Sequence, residues 1–299
     1  MHVLSFDDAL TFYSRAGHRL PSIAASQGQT PRELADVSAI LDDIDVVLLD
    51  AWGVLNVGKV AIPGAAQAVA AMKRRGCHVL LLSNDASDKG AMAANHRARG
   101  FPFLGDDIIS TQELLPLAVK RFQDVKRWGV IAYAGWPIDQ LGAGYAPLDE
   151  SLDKFDGFIF LSVAQWSGED QAALSSALIK RPRPVIVGNP DVVAPEETGL
   201  LSAKPGYFAH RLADEVGATP IFLGKPFPDI FALAKSRFHD VPADRFLMVG
   251  DTPHTDILGA QAAGMKSALI TGHGFLKGQD WRAVCARTGI WPDFVAATL

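Results

Sequence analysis

Asp45-Val-Val-Leu-Leu-Asp-Ala-Trp-Gly-Val-Leu55 is the stretch whose reading decides the fold. Val46 to Leu49 is a short apolar run, rich in β-branched residues and closed by a turn signal, which predicts a buried strand. It ends on an acidic residue, Asp50, with Gly53 soon after. Ligands of open α/β sheets bind beyond the carboxyl ends of the strands, so Asp50 stands where chemistry would be placed. Read alone, an Asp there more often only caps a turn.

Outward from this strand the pattern repeats. Pro63 to Gly76 predicts an Ala-rich helix with basic residues in its last turn and a glycine stop. His78 to Leu82 is a second buried strand ending in Ser83, Asn84 and Asp85. A helix from about Lys89 to Gly100, a strand at Ile108 to Thr111 and a helix from Gln112, interrupted by Pro116, follow. Strands at Gly129–Tyr133, Phe158–Leu161 and Pro184–Val187 accompany a helix over Glu169–Lys180. They are either more of the same sheet or a separate inserted domain. The last third returns to the first pattern: Ile221–Leu223 before Gly224-Lys225-Pro226, a helix over Pro228–Arg237, Phe246–Val249 before Gly250-Asp251, a helix over Thr255–Gly264 and a strand at Ser267–Ile270. Such alternation predicts an α/β fold with a doubly wound parallel sheet.

Residues 1–40 read as a helical N-terminal extension that packs against the core. Ser22 and Ser26 are cap signals, and Thr30-Pro31-Arg-Glu33 predicts a helix running to about Ile40. The extension shows no residues arranged for chemistry.

The chain has 299 residues, 48% hydrophobic and 20% charged, enough for one large or two ordinary globular domains. A net charge of -5 argues against a nucleic-acid partner, which usually meets a basic patch. Two cysteines, Cys77 and Cys285, are too few for a disulfide framework and have no metal-type spacing. Without a long apolar run or a leader-like N-terminus, a cytoplasmic protein with no membrane partner is expected.

Asp50, Ser83 with Asn84, Lys225, and Asp251 with Asp256 would therefore converge on one sheet edge. A carboxylate pair supplies the oxygen ligands that Mg²⁺ prefers. Hydroxyl, amide and helix N-terminal N–H groups suit phosphate oxygens. A lysine offsets charge on a transferred group, and a carboxylate can attack phosphorus.

These motifs, in this order, resemble the haloacid dehalogenase superfamily of aspartate-nucleophile phosphotransferases. Within it they resemble class IIA, the branch of p-nitrophenyl, phosphoglycolate and pyridoxal-phosphate phosphatases. The stretches concerned are Leu49–Leu55, Leu81–Asp85, Leu223–Pro226 and Val249–Ala260. Gly188-Asn189-Pro190-Asp191, with Gly199-Leu200-Leu201 after it, matches a class signature. The resemblance covers roughly residues 44 to 275. It implies an inserted α/β cap domain at 125–203 and a core of 1–124 plus 204–299, with the Asn189–Asp191 turn near the substrate entrance.

The resemblance also implies roles. Asp50 would be nucleophile and Mg²⁺ ligand, Asp251 the second carboxylate ligand, and the Trp52 carbonyl a third ligand. Asp256 would support the metal and the lysine. Ser83, Asn84 and Asp85, with Trp52, Gly53, Asn189 and Asp191, would line the phosphate and substrate site. Lys225 would steady the nucleophile and the transferring group.

One position departs from the family. The second Asp of the first motif, which protonates the leaving group, is Trp52, and an indole exchanges no proton at neutral pH. Loss of a general acid costs about 10²- to 10⁴-fold. Strong discrimination against basic leaving groups is therefore expected unless another residue supplies the proton. His254 is one candidate, although a loop histidine is more commonly exposed. The expected function is a Mg²⁺-dependent phosphatase of a small phosphorylated metabolite, with a homodimer plausible because caps of this branch often pair. The alternative is a catalytically weak phosphate-binding protein that kept the pocket.

Overall fold

The computed structural model describes residues 2–23, 30–148 and 151–299. Ser26 lies outside the described residues. Val46–Leu49 is a strand with no side-chain exposure. Its alternation sends Val47 and Leu49 into one apolar cluster and Val46 and Leu48 into another, as a strand covered on both faces requires.

Seven parallel strands make the main sheet. Their order is Arg32–Glu33, Phe294–Ala296, Lys266–Ile270, Phe246–Gly250, Val46–Leu49, His78–Ser83 and Ile108–Ser110. The chain builds outward in one direction from Val46–Leu49 and in the other from Phe246–Gly250. The order reverses between these two neighbours, so Asp50 and Asp251 leave adjacent strand ends at the switch point, where a ligand crevice opens.

A second parallel sheet has the order Ile221–Phe222, Val185–Val187, Gly157–Phe160, Trp128–Ile131 and Tyr145–Pro147. It extends past the expected limit at Ala203. Ile221 and Phe222 pair with Ile186 and Val187 of this sheet, not with the main one. Lys225 therefore reaches the switch point from the edge strand of the second sheet. Between lies a helix over Pro205–Val216, which the sequence reading did not identify although Pro205 begins it and Gly217 ends it in a left-handed conformation.

The N-terminal segment differs in part from expectation. Ser5 caps a helix over Phe6–Ala16, which buries Ala9, Leu10, Phe12 and Tyr13. Val3–Leu4 pairs antiparallel with Leu201–Ser202, and Asp7 is paired with Arg287. The segment thus adds an edge strand to a small antiparallel sheet with Leu201–Ala203 and Val193–Pro195, and its helix is tied to the C-terminal helix over Trp281–Thr288. The helix expected from Thr30 does not form. Arg32–Glu33 is instead an edge strand beside Phe294–Val295, and helical turns begin only after Asp36, whose carboxylate accepts the Ser38 N–H. The strand's partner lies at the far end of the chain, where no local signal could reveal it.

Tyr13 joins the segment to the site. Its ring stacks on His254 at 4.4 Å, and its hydroxyl accepts the Val192 N–H at 3.3 Å. Tyr13→Ala is expected to cost about 3–5 kcal/mol, the range for removing a large buried aromatic, measured by denaturant unfolding. A change below about 1 kcal/mol would mean that the segment is only loosely docked. No helix among the described residues is long and apolar enough to cross a membrane.

Candidate active site

Lys225 is the hub of the site. It is 2% exposed, and its ammonium donates at 2.7 Å to both Asp50 Oδ1 and Asp256 Oδ1. Asn84 fixes its backbone from both sides: the Lys225 N–H donates to Asn84 Oδ1 at 2.7 Å, and Asn84 Nδ2 donates to the Lys225 carbonyl at 3.0 Å. Burial alone would lower the ammonium's pKa. Asp256, Asp50 and Asp191 more than offset this and hold it above its ordinary value.

Asp256 is held by a wide π-helical turn over Pro253–Ile257, which precedes a short helix at Leu258–Ala262. The sequence reading expected one helix from Thr255. The Thr252 N–H donates to Asp256 Oδ2 at 3.1 Å, so both carboxylate oxygens have partners. Such turns recur at functional sites because they re-aim a side chain without breaking the helix.

Asp50, Asp251 and Asp256 each bring an oxygen within 4.8 Å of the others. Asp251 accepts from Thr252 Oγ1 at 2.8 Å and from the Phe275 N–H at 2.6 Å. Burial, then the neighbouring carboxylates, push Asp251 well above the usual range. Burial also raises Asp50, to about 7, although Lys225 pulls it down. One ammonium cannot neutralise this many buried carboxylates, so the cluster holds a surplus of negative charge that a proton or a cation must balance. That donor set suits a hard divalent cation.

Two glycines let the backbone close around Asp251. At Gly53, with φ +79°, a Cβ would lie 2.1 Å from Asp251 Oδ2; at Gly274, with φ +67°, 1.9 Å. Gly53→Ala is expected to lower kcat at least about 10²-fold, because it combines left-handed strain with displacement of a site carboxylate. Steady-state rates within about threefold of wild type would show that Asp251 tolerates the shift.

The other candidate residues also meet at this edge. Asp50, Trp52, Ser83, Asn84, Asp85, Asn189, Asp191, Lys225 and Asp251 all line one cleft of about 260 Å³. Gly53 lies beside it against Asp251. Ser83 Oγ accepts the Asp85 N–H at 3.1 Å, which leaves its hydroxyl proton free to donate. The Asn84 side chain is not free for phosphate: its second donor goes to Asp191 Oδ1 at 2.8 Å. Only its backbone remains for such a contact. Asp85 is exposed and its carboxylate caps Ser87. Asn189 Oδ1 accepts the Asp191 N–H at 3.1 Å and so shapes the signature turn.

His254 is neither exposed nor a base for this cleft. It is buried face-on against Tyr13 and lines a different cavity, with Leu20 and Ile290. Desolvation pushes its pKa down to about 3, so the ring stays neutral. Sequence reasoning missed Lys204, whose ammonium sits 5.6 Å from the Trp52 ring centroid and pairs with Glu196 at 3.4 Å. It also missed His2, which the N-terminal strand brings to the cleft wall. Neither residue carries a local motif.

A doubly wound parallel sheet with an acidic, lysine-braced pocket at its switch point defines a Rossmann-like α/β protein whose carboxylate cluster suits a divalent metal. Residues 47–139 match the family model for haloacid dehalogenase-like hydrolases, and residues 222–299 match a second, HAD-hydrolase-like model. The chain belongs to the haloacid dehalogenase superfamily, in its class IIA phosphatase branch. It is 27% identical over 269 residues to D-glycerol 3-phosphate phosphatase of Mycobacterium tuberculosis, covering 88% of this chain and 72% of that one. It is 26% identical over 226 residues to the ribonucleotide monophosphatase NagD of Escherichia coli, covering 75% and 86%. A crystal structure of glycerol phosphate phosphatase from Mycobacterium tuberculosis in complex with magnesium superposes with a TM-score of 0.67 at 25% identity, over 86% of this chain and 75% of that one.

Proposed function

We propose that this protein is a Mg²⁺-dependent phosphatase of a small phosphorylated metabolite, acting through an aspartyl-phosphate on Asp50. The observation that carries the reading is the buried Lys225, held at 2.7 Å from both Asp50 and Asp256. A buried cation so braced has a fixed place from which to meet the charge of a transferring phosphoryl group. Asp50 and Asp251, with the Trp52 carbonyl, would hold Mg²⁺, which when bound offsets negative charge on the phosphate.

Asp50 attacks phosphorus through the carboxylate oxygen that Lys225 does not hold. Lys225 orients the attacking group and favours its ionised form against the effect of burial. Ser83 donates its hydroxyl to a phosphate oxygen, and the Asn84 backbone N–H would do the same, the Asp85 N–H being spent on Ser83 Oγ. Water then cleaves the acyl phosphate and returns Asp50 to its starting form. The names of the relatives point to polyol phosphates or nucleoside monophosphates as the substrate class.

The second sheet, about residues 125–222, would serve as the cap over this edge. It presents Asn189, Asp191 and Trp136 to the cleft. The test is hydrolysis of p-nitrophenyl phosphate with Mg²⁺. No turnover above an Asp50→Asn control would favour the other reading, a phosphate-binding protein, which Trp52 supports by standing where the family carries its proton donor.

A further inference from the structure

A phosphatase with Trp52 at the proton-donor position needs its proton from elsewhere, and the cleft narrows the choice. Among the described residues four carboxylates line it: Asp50, Asp85, Asp191 and Asp251. Asp50 is tied to Lys225, and Asp251 to Thr252 and Phe275. Asp85 is exposed and caps Ser87. His2 and Tyr133 stand exposed at the mouth, and the Lys204 ammonium is paired with Glu196. Asp191 is the carboxylate that remains once the nucleophile Asp50, the doubly hydrogen-bonded Asp251 and the exposed Asp85 are set aside. Its Oδ1 accepts one bond, from Asn84, and its Oδ2 accepts none from the described residues. It is half-buried, on a turn fixed by Asn189 and by the Val192–Tyr13 bond. Asn84 links it to the Lys225 backbone, and Lys225 links that loop to Asp50.

Resting on the phosphatase reading, we propose that Asp191 is the general acid and base of the reaction, in place of the residue lost at Trp52. As Asp50 forms its bond to phosphorus, the bond from phosphorus to the ester oxygen breaks. Its electron pair stays on that oxygen, which takes the Asp191 proton and departs as the alcohol. Asp191, now a carboxylate, removes a proton from the water whose oxygen attacks the phosphorus of the aspartyl-phosphate. The bond from phosphorus to Asp50 breaks with its electrons returning to Asp50. Inorganic phosphate leaves, and Asp191 is protonated again.

The surroundings of Asp191 suit both halves of this cycle. Burial raises its carboxyl to about 6. Lys225, the Asn84 N–H and Lys204 pull it down, and Asp256 pushes it further up. A group that titrates close to the working pH can both give and take a proton.

The experiment compares kcat/KM for an alkyl phosphate (glycerol 3-phosphate) and for a series of aryl phosphates of graded leaving-group pKa. Wild type, Asp191→Asn and Asp191→Asn/Trp52→Asp are measured. In Asp191→Asn the new amide oxygen can still accept the Asn84 bond. The expected result is a loss of about 10²- to 10³-fold on the alkyl ester, a much smaller loss on p-nitrophenyl phosphate, and a steeper dependence on leaving-group pKa. Adding Trp52→Asp should recover at least about tenfold on the alkyl ester. Equal losses on both ester types with an unchanged slope would overturn the proposal and make Asp191 a positioning residue for Asn84. A steep slope already present in wild type would also overturn it, without any variant. Absence of aryl turnover in wild type would instead overturn the phosphatase reading and this proposal with it.

Discussion

Asp50→Asn is expected to lower kcat by on the order of 10⁵- to 10⁶-fold, the cost of removing a nucleophile. An amide cannot form the acyl phosphate, so the loss should fall on every phosphate ester alike. The same substitution is expected to stabilise the metal-free protein at neutral pH. Asp50 is raised from 3.8 to about 7 in the fold by burial. A carboxyl raised on folding lends stability that is fully present below about pH 3.8 and is lost as pH rises through about 7. Asn carries no such liability, and Lys225 keeps Asp256 as its partner. The variant's gain in melting temperature, measured in a chelator, should therefore grow between about pH 5 and pH 8. Loss of activity together with higher stability separates removal of a nucleophile from misfolding. Retained turnover would move the nucleophile elsewhere.

Asp251→Asn is expected to have the next largest effect. In wild type, Mg²⁺ at about a hundred times its dissociation constant should add about 2.7 kcal/mol, on the order of 5 °C in melting temperature. The substitution should abolish that shift and lower kcat by about 10²-fold or more. Asp251 is raised well above its ordinary value by burial and by Asp50 and Asp256. The metal-free protein therefore loses stability as pH rises above about 4, because the folded state must give up a proton that it holds more tightly than the unfolded chain does. A cation replaces that proton, so the Mg²⁺-dependent shift should be small at about pH 5 and larger at about pH 8. Scanning fluorimetry at both pH values, with and without Mg²⁺, reads this directly. An undiminished shift in Asp251→Asn would remove Asp251 from the ligand set.

The central strand was legible because its physics is local. Four consecutive apolar residues followed by an acid admit few other readings, and the alternating helices carry their own stop and start residues. The meeting of Asp50 with Asp251 was legible for a related reason. Parallel βα units place strand ends on one edge, so residues about 200 positions apart are brought together by topology rather than by any contact visible in the sequence.

Elsewhere local signals gave way to distant partners. Thr30-Pro31 carries a good helix-start signal, yet the backbone after it turns to a distant strand: the Arg32 N–H donates to the Asp293 carbonyl and the Leu34 N–H to the Val295 carbonyl. Ile221–Phe222 reads like any core strand, and only its pairing with Ile186 and Val187 assigns it to the second sheet.

Within the site, residue type alone determined that Trp52 cannot serve as a proton donor and that Asp50, Lys225 and Asp251 could share one phosphate chemistry. Tertiary structure decided the rest. It buried His254 against Tyr13, spent the Asn84 amide on Asp191 and Lys225, and brought Asp191 to the cleft with no second hydrogen-bond donor among the described residues. Hydrogen-bond saturation and desolvation are properties of the packed neighbourhood, and no spacing along the chain encodes them.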